Sequence, residues 1–197
     1  IFLLDIGNKK RKIVRFLLWI IMFMSLPKPY YQDEMNYLDF LESKKIKSID
    51  FGFDINKSEI NSILYDFQKD IIKWALKKGR CAIFADCGLG KTFMQLEWAK
   101  HVQNKTNGKI LILAPLAVNF QTIKEGEKIG IKVNMCHSAN DVCVGINITN
   151  YEKIHKFDLN IFDGIVLDES SILKSIDGKH KKLIIDSSVN IPYRLAC

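Results

Sequence analysis

Arginine is nearly missing from the second half of this chain: residues 93–197 contain one, Arg194. An enzyme that completes phosphate transfer within one domain closes an arginine-rich lid over its substrate, and this half has no material for one. No C-x-x-C pair occurs among Cys81, Cys87, Cys136, Cys143 and Cys197. The chain therefore reads as a reducing, cytoplasmic protein without a disulfide framework. Cys136, His137 and Cys143 follow no zinc-ligand spacing, so a strand with its loop is expected there instead. Long apolar runs are absent too. The longest, Phe16–Met24, has nine residues, or eleven through Leu26, against the roughly 20 that span a bilayer. Basic residues from Lys9 to Arg15 precede it, as in a signal peptide. However, no small-x-small cleavage site follows, only Pro27-Lys28-Pro29-Tyr30-Tyr31.

Methionine is absent from the first position, and the last residues, Tyr193 to Cys197, are an apolar run. Both ends lead us to expect a fragment or a partial reading frame, with Met24 and Met35 as candidate starts. For residues 1–34 three origins stay open: upstream translation that is not native, a short membrane-surface or packing helix, or a targeting segment. Residues 35–60 read as an N-terminal extension with a helix over Tyr37–Leu41.

What remains is ample for one globular domain. The 197 residues are 48% hydrophobic and 26% charged, with a net charge of +7. Residues 1–34 carry six Lys/Arg against three Asp/Glu, and the rest carries 23 against 19. The basicity is thus partly an N-terminal effect, and a modestly basic domain suits a polyanion partner.

The chain is organised around Ala85-Asp86-Cys87-Gly88-Leu89-Gly90-Lys91-Thr92. A short apolar run, Cys81-Ala82-Ile83-Phe84, precedes it. Phe93, Leu96, Ala99 and Val102 follow at helical spacing, with Met94 and Trp98 broadening the face. Strand, glycine loop, Lys-Thr and helix are the setting of a phosphate-binding P-loop. Gly88 and Gly90 let the backbone curl so that its N–H groups point inward, and the helix N-terminus adds partial positive charge. Lys91 is expected on the β- and γ-phosphates of ATP, and the Thr92 hydroxyl on Mg²⁺.

The first position of the usual G-x-x-x-x-G-K-[ST] pattern is Ala85 here. The A-x-x-G-x-G-K-T form resembles the first motif of superfamily 2 helicases and translocases. Ile165-Val166-Leu167 then reads as a buried strand ending in Asp168-Glu169-Ser170-Ser171, at the Walker B position. Asp168 is expected to hold Mg²⁺, and Glu169 to orient and deprotonate the attacking water. Helicases of this class usually read D-E-A-D or D-E-A-H, so the third and fourth positions depart from the pattern. Ser170 to Ser175, with its Leu-Lys pair, resembles the extended acidic motif of the Swi/Snf branch. With Leu113 to Val118 and Glu125-Gly126-Glu127-Lys128, the overall likeness is to phage-encoded DEAD-like helicases, over residues 61–197.

That resemblance implies further roles. Leu64, Phe67, Ile71, Trp74 and Ala75 predict a helix ending before Gly79. On it, Gln68 resembles the glutamine that reads the adenine edge of ATP. Lys109 to Ala114 reads as a buried strand, and Pro115 and Leu116 beyond it resemble motif Ia, which touches the nucleic-acid backbone. Thr149-Asn150-Tyr151-Glu152 resembles the Swi/Snf "TYE" segment, with Asn150 where Thr is usual. Asn150 and Tyr151 are therefore nucleic-acid candidates. Lys179-His180-Lys181-Lys182 reads as a solvated basic face.

Strands are expected at 81–86, 109–114, 131–136, 145–149, 164–168 and 193–197, alternating with helices. This makes an α/β fold: a RecA-like P-loop NTPase domain with a mostly parallel sheet, binding phosphates at the carboxyl ends of its strands. The third motif, Thr-Ala-Thr-Pro-like in the family, and a second RecA-like domain are not in the sequence. The resemblance implies the ATP-binding half of an ATP-dependent helicase or translocase, with DNA as the expected partner, in the cytoplasm of a bacterial cell. An arginine finger from the missing half is worth roughly 10³–10⁵ in rate, so these residues alone should bind Mg-ATP weakly and hydrolyse it slowly. The alternatives are a single-domain P-loop nucleotide kinase and a nucleotide-binding module without turnover.

Overall fold

The computed structural model describes residues 49–174 and 178–197. The 1–34 segment, the helix expected over Tyr37–Leu41 and residues 175–177 lie outside the described residues. Six strands form one parallel sheet: β1 (Arg80–Ala82), β2 (Lys109–Ala114), β3 (Val133–Met135), β4 (Gly145–Asn150), β5 (Gly164–Leu167) and β6 (Tyr193–Ala196). Their spatial order is β1-β6-β5-β2-β4-β3, with every pair parallel. The six expected strands are present, and the first is shorter than its apolar run suggested. Ile83 still bonds to the carbonyl of Ala196, after which the chain leaves the sheet to begin the glycine loop.

Alternation across β2 divides the core. Ile110, Ile112 and Ala114 face one layer, Leu111 and Leu113 the other, and all are buried. The first layer is built by α1 (Asp66–Lys78), α2 (Lys91–Thr106) and α3 (Asn119–Lys128). The second consists of α4 (Gly178–Ser188) and short 3₁₀ turns over Tyr151–Lys156 and Leu159–Ile161, packing Ile154, Phe157, Leu159, Phe162 and Ile184 under the sheet. The 179–182 basic cluster begins α4, and the side chains of 179–181 are not among those described.

Two helices differ from the faces expected of them. On α1 the inward side is Gln68, Ile71, Ile72, Ala75 and Leu76, so Phe67 stands at the surface and Trp74 is half-buried. Helix α2 is buried nearly all round. Gln95, Glu97 and His101 are enclosed along with Met94, Leu96, Trp98 and Val102. It packs against the first face of the sheet with α1 and α3 alongside, and a helix so placed has little solvent face left.

The carboxyl end of α1 is closed from outside. Backbone N–H groups of Phe51, Gly52 and Phe53 donate to the carbonyls of Lys78, Lys77 and Leu76, answering orphan acceptors of the last turn. Position 52 has to be glycine for this. A Cβ there would lie 1.8 Å from the Leu76 oxygen.

Candidate nucleotide site

The site begins where β1 becomes a loop. The Asp86 carboxylate accepts from the N–H of Cys87 at 2.7 Å, and Leu89 N–H donates back to Asp86 O. Gly88 and Gly90 both have positive φ, at 81° and 75°. Gly90 is also the N-cap of α2 and supplies no side chain to it. The first N–H groups of the helix therefore have neither an intrahelical acceptor nor a side-chain cap. An uncapped helix start with Lys91 as its first residue favours an anion.

Gly90 is pressed against α1. A Cβ would come within 2.4 Å of Gln68 Nε2. That nitrogen donates to Leu89 O at 2.9 Å, while Gln68 Oε1 accepts from the N–H of Tyr65 at 2.9 Å. Gln68 is 4% exposed. Its amide thus ties the start of α1 to the loop. Beside it, the exposed rings of Tyr65 and Phe67 stack with centroids 6.0 Å apart.

Strand β5 brings the acidic pair to the same end of the sheet. The cleft there, about 210 Å³, is lined by Ile83, Phe84, Ala85, Asp86, Lys91, Glu169, Ser170, Ser171 and Cys197. It crosses the ends of β1, β6 and β5 in order. Lys91 and Glu169 share it, and Asp168 lies close enough to feel the charge of Lys91.

The acidic turn is fastened at several points. Glu169 adopts φ 50°, a left-handed conformation unusual for a side chain of its size. Ser170 N–H donates to Cys197 O at 2.7 Å, which pins the turn to the end of β6. Ser171 Oγ donates to Glu169 Oε1 at 2.6 Å, so the altered fourth position of the motif holds the carboxylate of the second. Tyr151 Oη donates to the main-chain oxygen of Asp168 at 2.7 Å. Gln95 Nε2 donates to Asp168 Oδ1, also at 2.7 Å. Burial pushes the Asp168 carboxyl up from its ordinary value, against the Gln95 hydrogen bond, the Glu169 N–H and the charge of Lys91.

The oxygen donors suit a hard divalent cation. Thr92 offers a hydroxyl and Asp168 a carboxylate, the set Mg²⁺ prefers when phosphate oxygens and waters complete its shell.

The four nucleic-acid candidates separate. Pro115 is half-buried at the end of β2, and Leu116 is 60% exposed in the 3₁₀ turn Leu116–Val118. Phe120, one turn on, is 70% exposed. Asn150 and Tyr151 point inward. Asn150 Nδ2 donates to Glu152 at 2.6 Å, and Tyr151 is 2% exposed with its hydroxyl on Asp168. Neither side chain meets the surface. Tyr151, Ile154, Phe157 and Leu159 of this segment pack into the second layer of the core and draw the chain inward.

Sequence reasoning missed Gln95, Ser171 and the inward role of Tyr151. Gln95 carried a legible signal, a polar residue one turn beyond Lys91 on a helix bordered by apolar residues. Tyr151 carried none, since its partner lies on another strand.

Two solved structures of UvsW from bacteriophage T4, one described as a helicase, are similar to the whole described fold. The first gives a TM-score of 0.59 at 17% identity over 93% of this chain and 39% of that one. The second gives 0.56 at 15% identity over 93% and 68%. The fold is RecA-like, the architecture that these structures share. A Sulfolobus solfataricus SWI2/SNF2 ATPase core in complex with dsDNA is also similar, with a TM-score of 0.56 at 18% identity over 72% of this chain and 33% of that one. The chain thus spans well under half of two of these three structures. No protein-family model and no curated protein matches it.

Proposed function

We propose that residues 61–197 are the ATP-binding half of an ATP-dependent helicase or translocase acting on DNA. The observation that carries this reading is the shared cleft of Lys91 and Glu169 across the ends of β1, β6 and β5. Lys91 and the uncapped start of α2 take the β- and γ-phosphates. Thr92 and Asp168 hold Mg²⁺, which when bound neutralises charge on the phosphate oxygens. Glu169, kept in place by Ser171, receives a proton from the attacking water. Gln68 has one N–H and one lone pair beyond its two bonds within the chain, enough for a paired contact to an adenine edge. Leu116, Phe120 and Pro115 form the candidate contact to nucleic acid. The dsDNA in the SWI2/SNF2 complex supports DNA as the polymer.

The kinase alternative has no structural support. The lone arginine of residues 93–197, Arg194, is buried in β6 and cannot act as a lid.

The test is nucleotide binding by the purified chain, followed with a fluorescent ATP analogue. Wild type should bind in a Mg²⁺-dependent way, and Lys91→Ala should abolish binding. Hydrolysis should be slow and gain little from DNA, because no arginine finger is supplied. Rapid DNA-stimulated turnover by this chain alone, or phosphate transfer to a small acceptor, would refute the reading.

A further inference from the structure

We propose that Gln95 is a positioning residue for the metal-holding carboxylate, fixing the orientation of Asp168 relative to Thr92. This rests on the nucleotide-site reading above. Gln95 lies three residues after Thr92 and four after Lys91, on the same side of α2. It is fully buried. Its Nε2 donates to Asp168 Oδ1 at 2.7 Å, its amide also lies against the buried Cys197 thiol, and its buried Oε1 has no hydrogen-bond partner among the described residues. Packing does not account for such a residue. An amide with one buried end unanswered weakens a core, and Leu or Met would fill the space without that cost.

The bond accounts for it. A carboxylate turns about its Cβ–Cγ bond, and a single strong donor on one oxygen stops that rotation. The donor is carried by the same helix turn as the Thr92 hydroxyl. The two oxygen donors, one on α2 and one at the end of β5, are thereby held in one relative placement. Mg²⁺ demands near-octahedral geometry and tolerates misplaced donors poorly. Groups that orient metal ligands from behind typically matter 10–100-fold in metal affinity.

The test compares wild type with Gln95→Leu and Gln95→Met in the full chain. Three quantities are read: melting temperature, affinity for the fluorescent ATP analogue in EDTA, and Mg²⁺ affinity at saturating analogue. Both variants should hold metal-free analogue within about twofold yet bind Mg²⁺ roughly 10–100-fold more weakly, the melting temperature being read to confirm that each is folded. With Mn²⁺ in place of Mg²⁺, the electron paramagnetic resonance spectrum of the bound ion should change. Unchanged Mg²⁺ affinity in either folded variant overturns the proposal. So does a parallel loss of metal-free binding, since that would make Gln95 a structural brace. If wild type itself shows no metal-dependent binding, the nucleotide-site reading falls and this proposal falls with it.

Discussion

Asp168 shows a stability cost concentrated in one carboxyl group. Its pKa is raised by burial, and the sign of the consequence follows. A carboxyl whose folded value exceeds its unfolded one is proton-hungry in the folded state. It adds no penalty below the unfolded value, and the penalty grows as pH rises through the folded one. Above the folded value the metal-free chain carries the whole of that cost. Asp168→Asn should raise the melting temperature of the metal-free chain at pH 7, and the gain should vanish at acid pH. The same variant should lose Mg²⁺-dependent nucleotide binding, the usual exchange of stability against a working site. That Lys91 and Glu169 would meet in one cleft was legible because each sits in a contiguous motif at the end of a strand. Tyr151 was misplaced for the opposite reason. Its segment resembles the Swi/Snf TYE segment, but its hydroxyl goes to the main-chain oxygen of Asp168, just beyond β5.

At the scale of elements, α2 is the member that joins the site to the rest of the first layer. Its buried Glu97 meets His101 Nε2 at 3.2 Å, Lys100 Nζ at 3.1 Å and the N–H of Asn61 at 3.0 Å. Asn61 Nδ2 in turn donates to Ile129 O just after α3. Burial alone would raise the Glu97 carboxyl, but His101, the Asn61 N–H and Lys100 together leave it below its ordinary value. A carboxyl depressed on folding stabilises above its unfolded pKa, and the contribution fades as pH falls through the folded value. Glu97→Ala should cost on the order of 3 kcal/mol in denaturant unfolding at pH 7, and less in acid. The cost should appear together with faster proteolysis of the 56–64 segment, which Glu97 holds down. The strands were legible as short apolar runs between turn residues. The all-round burial of α2 was not, because Gln95, Glu97 and His101 read as a solvent face until their partners on β5, the 56–64 segment and α2 itself are known. Strand β1 shortened for a local reason, since its apolar run also had to supply the exit into the loop.

At the scale of the whole molecule, strand order is the property the sequence conceals. Apolar runs do not say who pairs with whom, and here the strand latest in the chain lies between the one that bears the glycine loop and the one that bears the acids. Arg80 pairs with Arg194, and Gly164 pairs with Tyr193. Leu195, 1% exposed, stands opposite Cys81 on one side and Val166 on the other. Leu195→Ala should cost about 3 kcal/mol. In native-state hydrogen exchange it should release the amides of β1 along with those of β6, while the β2–β4 pair keeps more of its protection.

This order sets a timetable for a chain made from its amino end. Strand β1 leaves the ribosome early and has no sheet neighbour until β6 emerges, more than a hundred residues later. At ribosomal speeds of about 5–20 residues per second, that wait lasts several seconds, far longer than local folding needs. Through that interval β1 waits without its sheet neighbour, and over its last part β5 also presents an open strand border, each a template for the wrong partner. The pocket that brings lysine and glutamate together comes into being only when the gap between them is filled.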